Sequence, residues 1–294
     1  MVRRTQIWFA ALLGLLAGAV TAADAGTLTD ERLASATLGR DYRYTLYRPD
    51  GHEGDPRRYP VFYLLHGALG DEHDWPVKGK VAATLDRLMA DGRLPPTLVV
   101  MPGHKGMWWV DGHGEKAETV LLTELMPEVE RRFHTRTDRA GRGIGGLSAG
   151  AYETIRLIFQ RPEMFAAAIA LSPAIYEPVP PSNSSAFRDP AFVKDGVFDA
   201  ALWRRLNWRG LFDAYKAQPL VVPLYINSGD RDRFEVPYHA AVLHRALRAH
   251  QPDATVFRVI DGDHEWPVWE RSIGEALDYA LSRLGPPLPA DPAP

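Results

Sequence analysis

The 294-residue chain contains no cysteine. That absence excludes disulfides, a thiol nucleophile, cysteine-bound zinc and a lipidated N-terminal cysteine. There is little excess charge: 34 Lys and Arg stand against 37 Asp and Glu, a formal net charge of −3. No basic stripe or aromatic-interleaved basic patch is present, so nucleic acid is not an expected partner. The longest apolar run, Ile7 to Val20, is too short for a comfortable membrane span and no stop-transfer flank follows. Neither an internal repeat nor an interdomain linker is evident.

What is present reads as an ordinary globular protein, 46% hydrophobic and 24% charged, with eight Trp. Its length suffices for one large core without disulfide support. Residues 1–25 read as a signal peptide. Arg3 and Arg4 precede the apolar run, and Val20-Thr21-Ala22 or Ala23-Asp24-Ala25 supplies an A-x-A-like cleavage site. The expectation is a secreted or periplasmic protein with no stable membrane insertion after cleavage. The folded domain would span 26–285, leaving the Pro-rich residues 286–294 as a flexible tail.

Within that domain, strand-length apolar runs alternate with helical patterns. Tyr42 to Arg48 has the alternation of an edge or antiparallel strand. Val61–Leu65, Leu98–Met101, Gly143–Leu147, Ala166–Leu171, Val221–Ile226 and Val256–Ile260 are near-continuous apolar runs, as buried parallel strands are. Val236, Ala240, Leu243 and Leu247 repeat at helical spacing. So do Leu121, Leu125 and Val129, with a kink expected at Pro127. The pattern predicts an α/β fold: a mostly parallel central sheet with helices on both faces. Residues 174–219 break the rhythm and read as a lid-like insertion, because a segment that long between two strands is usually functional.

Chemistry concentrates at Gly146-Leu147-Ser148-Ala149-Gly150. A serine with glycines two residues to either side fits the strained strand-to-helix turn that lifts a hydroxyl above a sheet edge. Such a serine needs a base to take its proton and an acid to orient that base. Of the histidines after it, His239, His244 and His250 fall on the 236–250 helix, whereas His264 alone follows a strand. Asp230 and Asp232 both sit at the end of another strand, and spacing does not separate them. The oxyanion formed on attack requires two backbone N–H donors. Ala149, the residue after the nucleophile, supplies one. Ala68, in His66-Gly67-Ala68 after the Val61–Leu65 strand, is the expected second.

Taken in order, these segments resemble the putative esterase family of α/β-hydrolases, which includes feruloyl and acetylxylan esterases, esterase D-like enzymes, siderophore esterases and mycolyl transferases. The resemblance covers about residues 40–285. It rests on Tyr63-Leu64-Leu65-His66-Gly67 with Trp75, on Val100-Met101-Pro102 with Trp108-Trp109-Val110-Asp111, and on Gly145 to Gly150. Gln160 to Phe165, Leu171-Ser172-Pro173, Gly229-x-x-Asp232-x-Phe234 and Gly262-x-His264-x-Trp266-x-x-Trp269 complete it. It implies an α/β-hydrolase fold with Asp232 as the acid and His264 as the base. It also implies a serine carboxylic-ester hydrolase acting on a small-molecule or carbohydrate-linked ester, without metal or cofactor. One departure is Ala151, where many members carry glycine. The insertion has no fixed family sequence, so it leaves the substrate open.

Trp108, Trp109, Trp203, Trp208 and Trp266 are candidate substrate-binding residues, because aromatic side chains at strand ends and under a lid suit an acyl or aryl group. Their bland alternative is core packing. Three other readings compete. A metal site would draw on His66, His73, His104, Asp111, His113 and Glu115, but their spacing makes no compact ligand set. An acyltransferase would use the same triad and pass the acyl group to an alcohol or sugar. An inactive binding module would keep only the fold.

Overall fold

The computed structural model describes residues 25–104, 108–114 and 116–290. The expected signal peptide, Ala25 apart, lies outside these residues, as do Glu115 and the last four residues of the expected tail. The strands are β1 (Thr27–Ser35), β2 (Arg40–Arg48), β3 (Val61–Leu65), β4 (Leu98–Gly103), β5 (Arg142–Leu147), β6 (Ala167–Leu171), the short hairpin β7 (Val193–Lys194) and β8 (Val197–Phe198), β9 (Leu224–Gly229) and β10 (Thr255–Ile260). All but the hairpin join one sheet in the order β1-β2-β4-β3-β5-β6-β9-β10. The β1–β2 and β2–β4 pairs are antiparallel and the remaining pairs are parallel.

The helices are α1 (Asp74–Val77), α2 (Val81–Ala90), α3 (Ala117–Val120), α4 (Met126–Arg132), α5 (Ala149–Gln160), α6 (Ala200–Leu206), α7 (Trp208–Lys216), α8 (Val236–His250) and α9 (Trp266–Leu281). They cover both faces of the sheet, and strand periodicity explains how. In β3, Val61, Tyr63 and Leu65 enter a core shared with α3–α5 and α8. Phe62 and Leu64 enter the opposite core, shared with α2 and α9. The chain has the α/β-hydrolase architecture.

Four sequence expectations shift. The Tyr42–Arg48 strand is antiparallel as expected, but β1 forms the outer edge beside it, and with Thr29-Asp30-Glu31-Arg32 at its centre it contains no apolar run. The run from Val221 becomes a strand only at Leu224. Pro223 has no N–H for a ladder, and the carbonyls of Val221 and Val222 are taken by the Arg139 and Gln251 side chains. β10 was expected to be buried, yet it is the other edge, half-buried, with Val259 facing solvent. The kink expected at Pro127 takes the form of a π-helical turn, Leu121–Leu125, between α3 and α4. The wider turn accommodates a proline that cannot donate to the preceding turn.

The insertion carries a short 3-10 turn (Ser185–Arg188), the hairpin, α6 and α7, and its Phe192, Trp203, Trp208, Phe212 and Tyr215 join the core on the α5 side of the sheet. Its helices begin in orthodox ways: the Asp199 side chain accepts from Ala201 and Leu202 N–H, and the Asn207 side chain accepts from Trp208 N–H. The Pro-rich stretch after α9 is pinned as far as Leu288, which exchanges two backbone hydrogen bonds of 2.9 Å with Arg58. The expected loose tail is therefore held down over its first residues. No helix among the described residues is long and apolar enough to cross a membrane.

Candidate active site

The sheet reverses its winding between β3 and β5: β4 lies to one side of β3, and β6 lies beyond β5 on the other. A crevice opens above the carboxyl ends of strands at such a switch point. Here those two strands deliver the two halves of the site. β3 ends in His66-Gly67-Ala68, and β5 ends in Ser148.

Ser148 adopts φ 52°, ψ −114°, a conformation unfavourable for any residue with a side chain. The turn is held by its own backbone: Ser148 N–H donates to the Leu171 carbonyl at 2.9 Å, and the Ser148 carbonyl accepts from Tyr152 and Ala174. The flanking glycines are steric necessities. A Cβ on Gly146 would come within 2.8 Å of the Leu65 carbonyl oxygen, and one on Gly150 within 2.7 Å of the same atom. Helix α5 then starts at Ala149, so its first N–H groups have no carbonyl a turn earlier to bond.

From this elbow the Ser148 hydroxyl meets His264 Nε2 at 2.9 Å, and His264 Nδ1 meets Asp232 Oδ2 at 2.7 Å. Asp232 follows β9 and His264 follows β10, so three strand ends converge. The Asp232 side chain is fully buried and that of His264 nearly so. With Nδ1 facing a carboxylate, the ring proton belongs on Nδ1, leaving Nε2 free to accept the serine proton. Phe234 and Trp269 pack edge-on against the imidazole at 4.8 and 5.2 Å. The second sequence candidate, Asp230, stays clear of the imidazole and braces the neighbouring loop, its Oδ1 accepting the Gly262 N–H at 2.9 Å.

Opposite the elbow, the Gly67–Ala68 backbone comes close. A Cβ on Gly67 would lie 3.3 Å from Ser148 Cβ. His66 sets that loop. Its Nε2 accepts the backbone N–H of His104 at 3.1 Å, so Nδ1 carries the proton and donates to the Gly67 carbonyl at 2.6 Å. Gly70 N–H donates to the same carbonyl at 3.1 Å. Burial pushes the His66 imidazole below the usual histidine range, which keeps it in this neutral form.

A cavity of about 450 Å³ opens over Ser148. Of the five tryptophans considered, Trp108 and Trp266 line it. Trp109, Trp203 and Trp208 do not, and their expected role is corrected by their packing. Trp109 lies beneath the Gly67–Ala68 loop and donates its indole N–H to the His66 carbonyl at 3.0 Å. Trp203 is wholly buried against Tyr152 and donates to the Tyr176 carbonyl at 3.2 Å. Trp208 packs on Phe212 and borders a separate hollow of about 390 Å³ with Asn207, Tyr238 and His239. That hollow contains none of the reacting groups.

Sequence reasoning missed the polar wall that the insertion gives the cavity: Asn183, Ser184, Ser185 and Arg188. Ser185 accepts the Trp108 indole N–H at 3.1 Å, which ties this wall to the hydrolase body. Nothing in the local pattern marked these residues, because they are ordinary loop types. Of the described histidines and acids considered as metal ligands, His66 holds the Gly67–Ala68 loop, Asp111 accepts from Thr119, and His113 pairs with Asp199 at 3.0 Å. Among the described residues, ligand-type atoms gather only at Asp71, Glu72 and His73, on the surface.

Residues 35–280 match the family described as "Putative esterase". The chain belongs to this family. It is 34% identical over 182 residues to an endo-1,4-beta-xylanase/feruloyl esterase of Xylanibacter ruminicola, covering 58% of this chain and 24% of that protein. It is also 28% identical over 136 residues to the esterase Rv1288 of Mycobacterium tuberculosis, covering 42% of this chain and 27% of that protein. The chain thus spans about a quarter of the length of these curated relatives. Among solved structures, a ferulic acid esterase superposes with a TM-score of 0.74 at 25% identity, over 88% of this chain and 98% of that one.

Proposed function

We propose that the protein is an exported serine carboxylic-ester hydrolase working through an acyl-enzyme. The observation that carries this reading is the series of contacts Ser148–His264–Asp232 at 2.9 and 2.7 Å. Ser148 Oγ attacks the ester carbonyl while His264 Nε2 takes its proton. Asp232 stabilises the imidazolium, and the Ala68 and Ala149 N–H groups hold the oxyanion. Collapse breaks the carbon–oxygen bond, and His264 returns the proton to the departing alcohol. Water, deprotonated by His264, then attacks the acyl-serine; the carbonyl–Oγ bond breaks, His264 returns the proton to Ser148 Oγ, and the acid leaves. The residues account for each proton without a metal or cofactor.

The cavity supports an aromatic acyl group on a carbohydrate alcohol. Trp108, Tyr176 and Trp266 offer apolar faces, whereas Asn183, Ser185 and Arg188 offer hydrogen bonds to hydroxyls. Two proteins similar to this chain are named for feruloyl or ferulic esters. Export rests on the leader-like residues 1–25. The esterase unit we assign is 26–285, with 174–219 as the insertion that shapes the cavity.

The test is a panel of 4-nitrophenyl esters from acetate to laurate, with methyl ferulate beside them. Hydrolysis by wild type and its loss in Ser148→Ala support the reading. Unchanged hydrolysis in Ser148→Ala sinks it. Added glycerol distinguishes water from an alcohol as acyl acceptor, since an acyltransferase would form the glyceryl ester in preference to the free acid.

A further inference from the structure

Past the ends of β9 and β10, the loop carrying Asp232 and the loop carrying His264 continue side by side. Asp230 N–H donates to the Ile260 carbonyl at 2.8 Å, and Arg231 N–H donates to the Gly262 carbonyl at 2.9 Å. Two ion pairs flank the acid–histidine contact. Arg231 meets Asp261 and Arg233 meets Asp263, each at 2.7 Å. They differ in standing. Arg231 and Asp261 are 64% and 72% exposed, and a pair so open to water and salt has little hold. Asp263 is only 32% exposed and does more than pair.

One carboxylate oxygen of Asp263, Oδ1, accepts two backbone donors: Arg233 N–H at 2.7 Å and His264 N–H at 2.6 Å. The other, Oδ2, meets the Arg233 guanidinium. Arg233 adjoins Asp232, and His264 carries the base, so a single side chain grips the backbone beside each member of the pair. The His264 loop needs such a grip. It turns at Gly262, φ 139°, and enters α9 through Glu265, whose side chain forms no cap. Around Asp263, burial opposes ionisation, but the Arg233 guanidinium and the two backbone N–H groups outweigh it and hold the carboxyl at about 2.

We propose that Asp263 is a positioning residue: it clamps the Asp232 loop to the His264 loop and so fixes the line from carboxylate through imidazole to Ser148. This rests on the serine-esterase reading of the site. The clamp works through the position of Oδ1 more than through charge, because the two backbone donors need an acceptor at one point. Shape and charge are therefore separable by substitution.

Asp263→Asn keeps an oxygen at Oδ1 and removes the charge. Asp263→Glu keeps the charge and displaces the acceptor by a methylene. Asp263→Ala removes both. The expected order of kcat is wild type, then Asn, then Glu, then Ala. The alanine variant falls about 10²-fold, the cost of a misplaced catalytic group, while KM for 4-nitrophenyl acetate stays within a few-fold. The rate of Ser148 modification by a fluorophosphonate falls in step with kcat. The Asp232→Asn/Asp263→Ala pair loses less than the product of its single losses, since both act on one imidazole. Should the alanine variant fail to fold, the Asn-over-Glu order still decides. A glutamate variant as active as the asparagine variant, an alanine variant with wild-type kcat, or fully multiplicative losses would each overturn the clamp. A wild type that neither hydrolyses esters nor takes the phosphonate would instead remove the esterase reading on which the clamp depends.

Discussion

His66 Nδ1 donates to the carbonyl of Gly67 at 2.6 Å, and through that bond it governs a donor it does not touch. A trans peptide points its C=O and N–H in opposite directions. Holding the Gly67 carbonyl toward His66 therefore aims the Ala68 N–H away from the ring, as its proposed role as an oxyanion donor requires. His66→Ala should lower kcat about tenfold to a hundredfold with little change in KM, less than the 10²–10³ lost when an oxyanion donor is removed outright. Steady-state kinetics on an aryl acetate checks this. A variant with wild-type kcat would separate His66 from the oxyanion loop.

The same histidine ties stability to pH. Burial lowers its folded pKa, although the Gly67 carbonyl and nearby acids oppose the shift. Unfolded, it takes up a proton below about pH 6.5. Stability from neutral His66 is therefore complete above that pH and drains away as pH falls toward the lowered folded value. His52, His239 and His244 are shifted the same way, mainly by burial, and add to the slope. Urea unfolding between pH 5 and 7.5 should show stability declining with acid. His66→Gln should flatten that decline by up to about 1.4 kcal/mol per pH unit, one proton's share. An identical slope in the variant would contradict the assignment.

Asp230 and Asp232 separate by function. Asp232→Asn should cost about 10⁴ in kcat, because an amide N–H facing Nδ1 favours the wrong tautomer. Asp230→Asn should remain within a few-fold of wild type, since an amide oxygen still accepts the Gly262 N–H. Ser148→Ala should lose about 10³–10⁶. The three kcat values, measured on one ester, settle the roles together.

The tryptophans divide between buried packing and the cavity wall. Trp203 is wholly buried among Trp108, Tyr152 and Phe192, so Trp203→Ala should cost about 3–5 kcal/mol of unfolding free energy. Trp266 is partly open on the cavity and packs edge-on with Trp75 and Trp269. Trp266→Ala should destabilise less and raise KM for methyl ferulate several-fold. Denaturant melts beside Michaelis curves test both, and a reversed pattern would return Trp203 to the substrate site.

Most of the sheet was legible because buried parallel strands are continuous apolar runs, and Val61–Leu65 or Ala167–Leu171 could hardly serve otherwise. β1 was not, since this little-buried edge strand carries Asp30, Glu31 and Arg32 in succession and so offers no apolar run. The Ser148 elbow was legible from its glycines, and His264 from its place after a strand. Asp232 needed the family resemblance, because Asp230 shares its strand end and only the fold turns one inward. The tryptophans misled for a related reason: composition shows that an aromatic ring will be buried without saying under what. The Asp263 clamp left a trace, Arg231-x-Arg233 matching Asp261-x-Asp263 around the acid and base, but that trace acquires meaning only once β9 and β10 are known to be neighbours.

The central claim is that Ser148 is an activated nucleophile, and covalent labelling tests it most directly. Wild-type protein treated with a fluorophosphonate should gain one adduct, mapped by peptide mass spectrometry to Ser148. Labelling should slow sharply in His264→Ala and vanish in Ser148→Ala. An unmodified Ser148, or labelling that proceeds equally well without His264, would contradict the account.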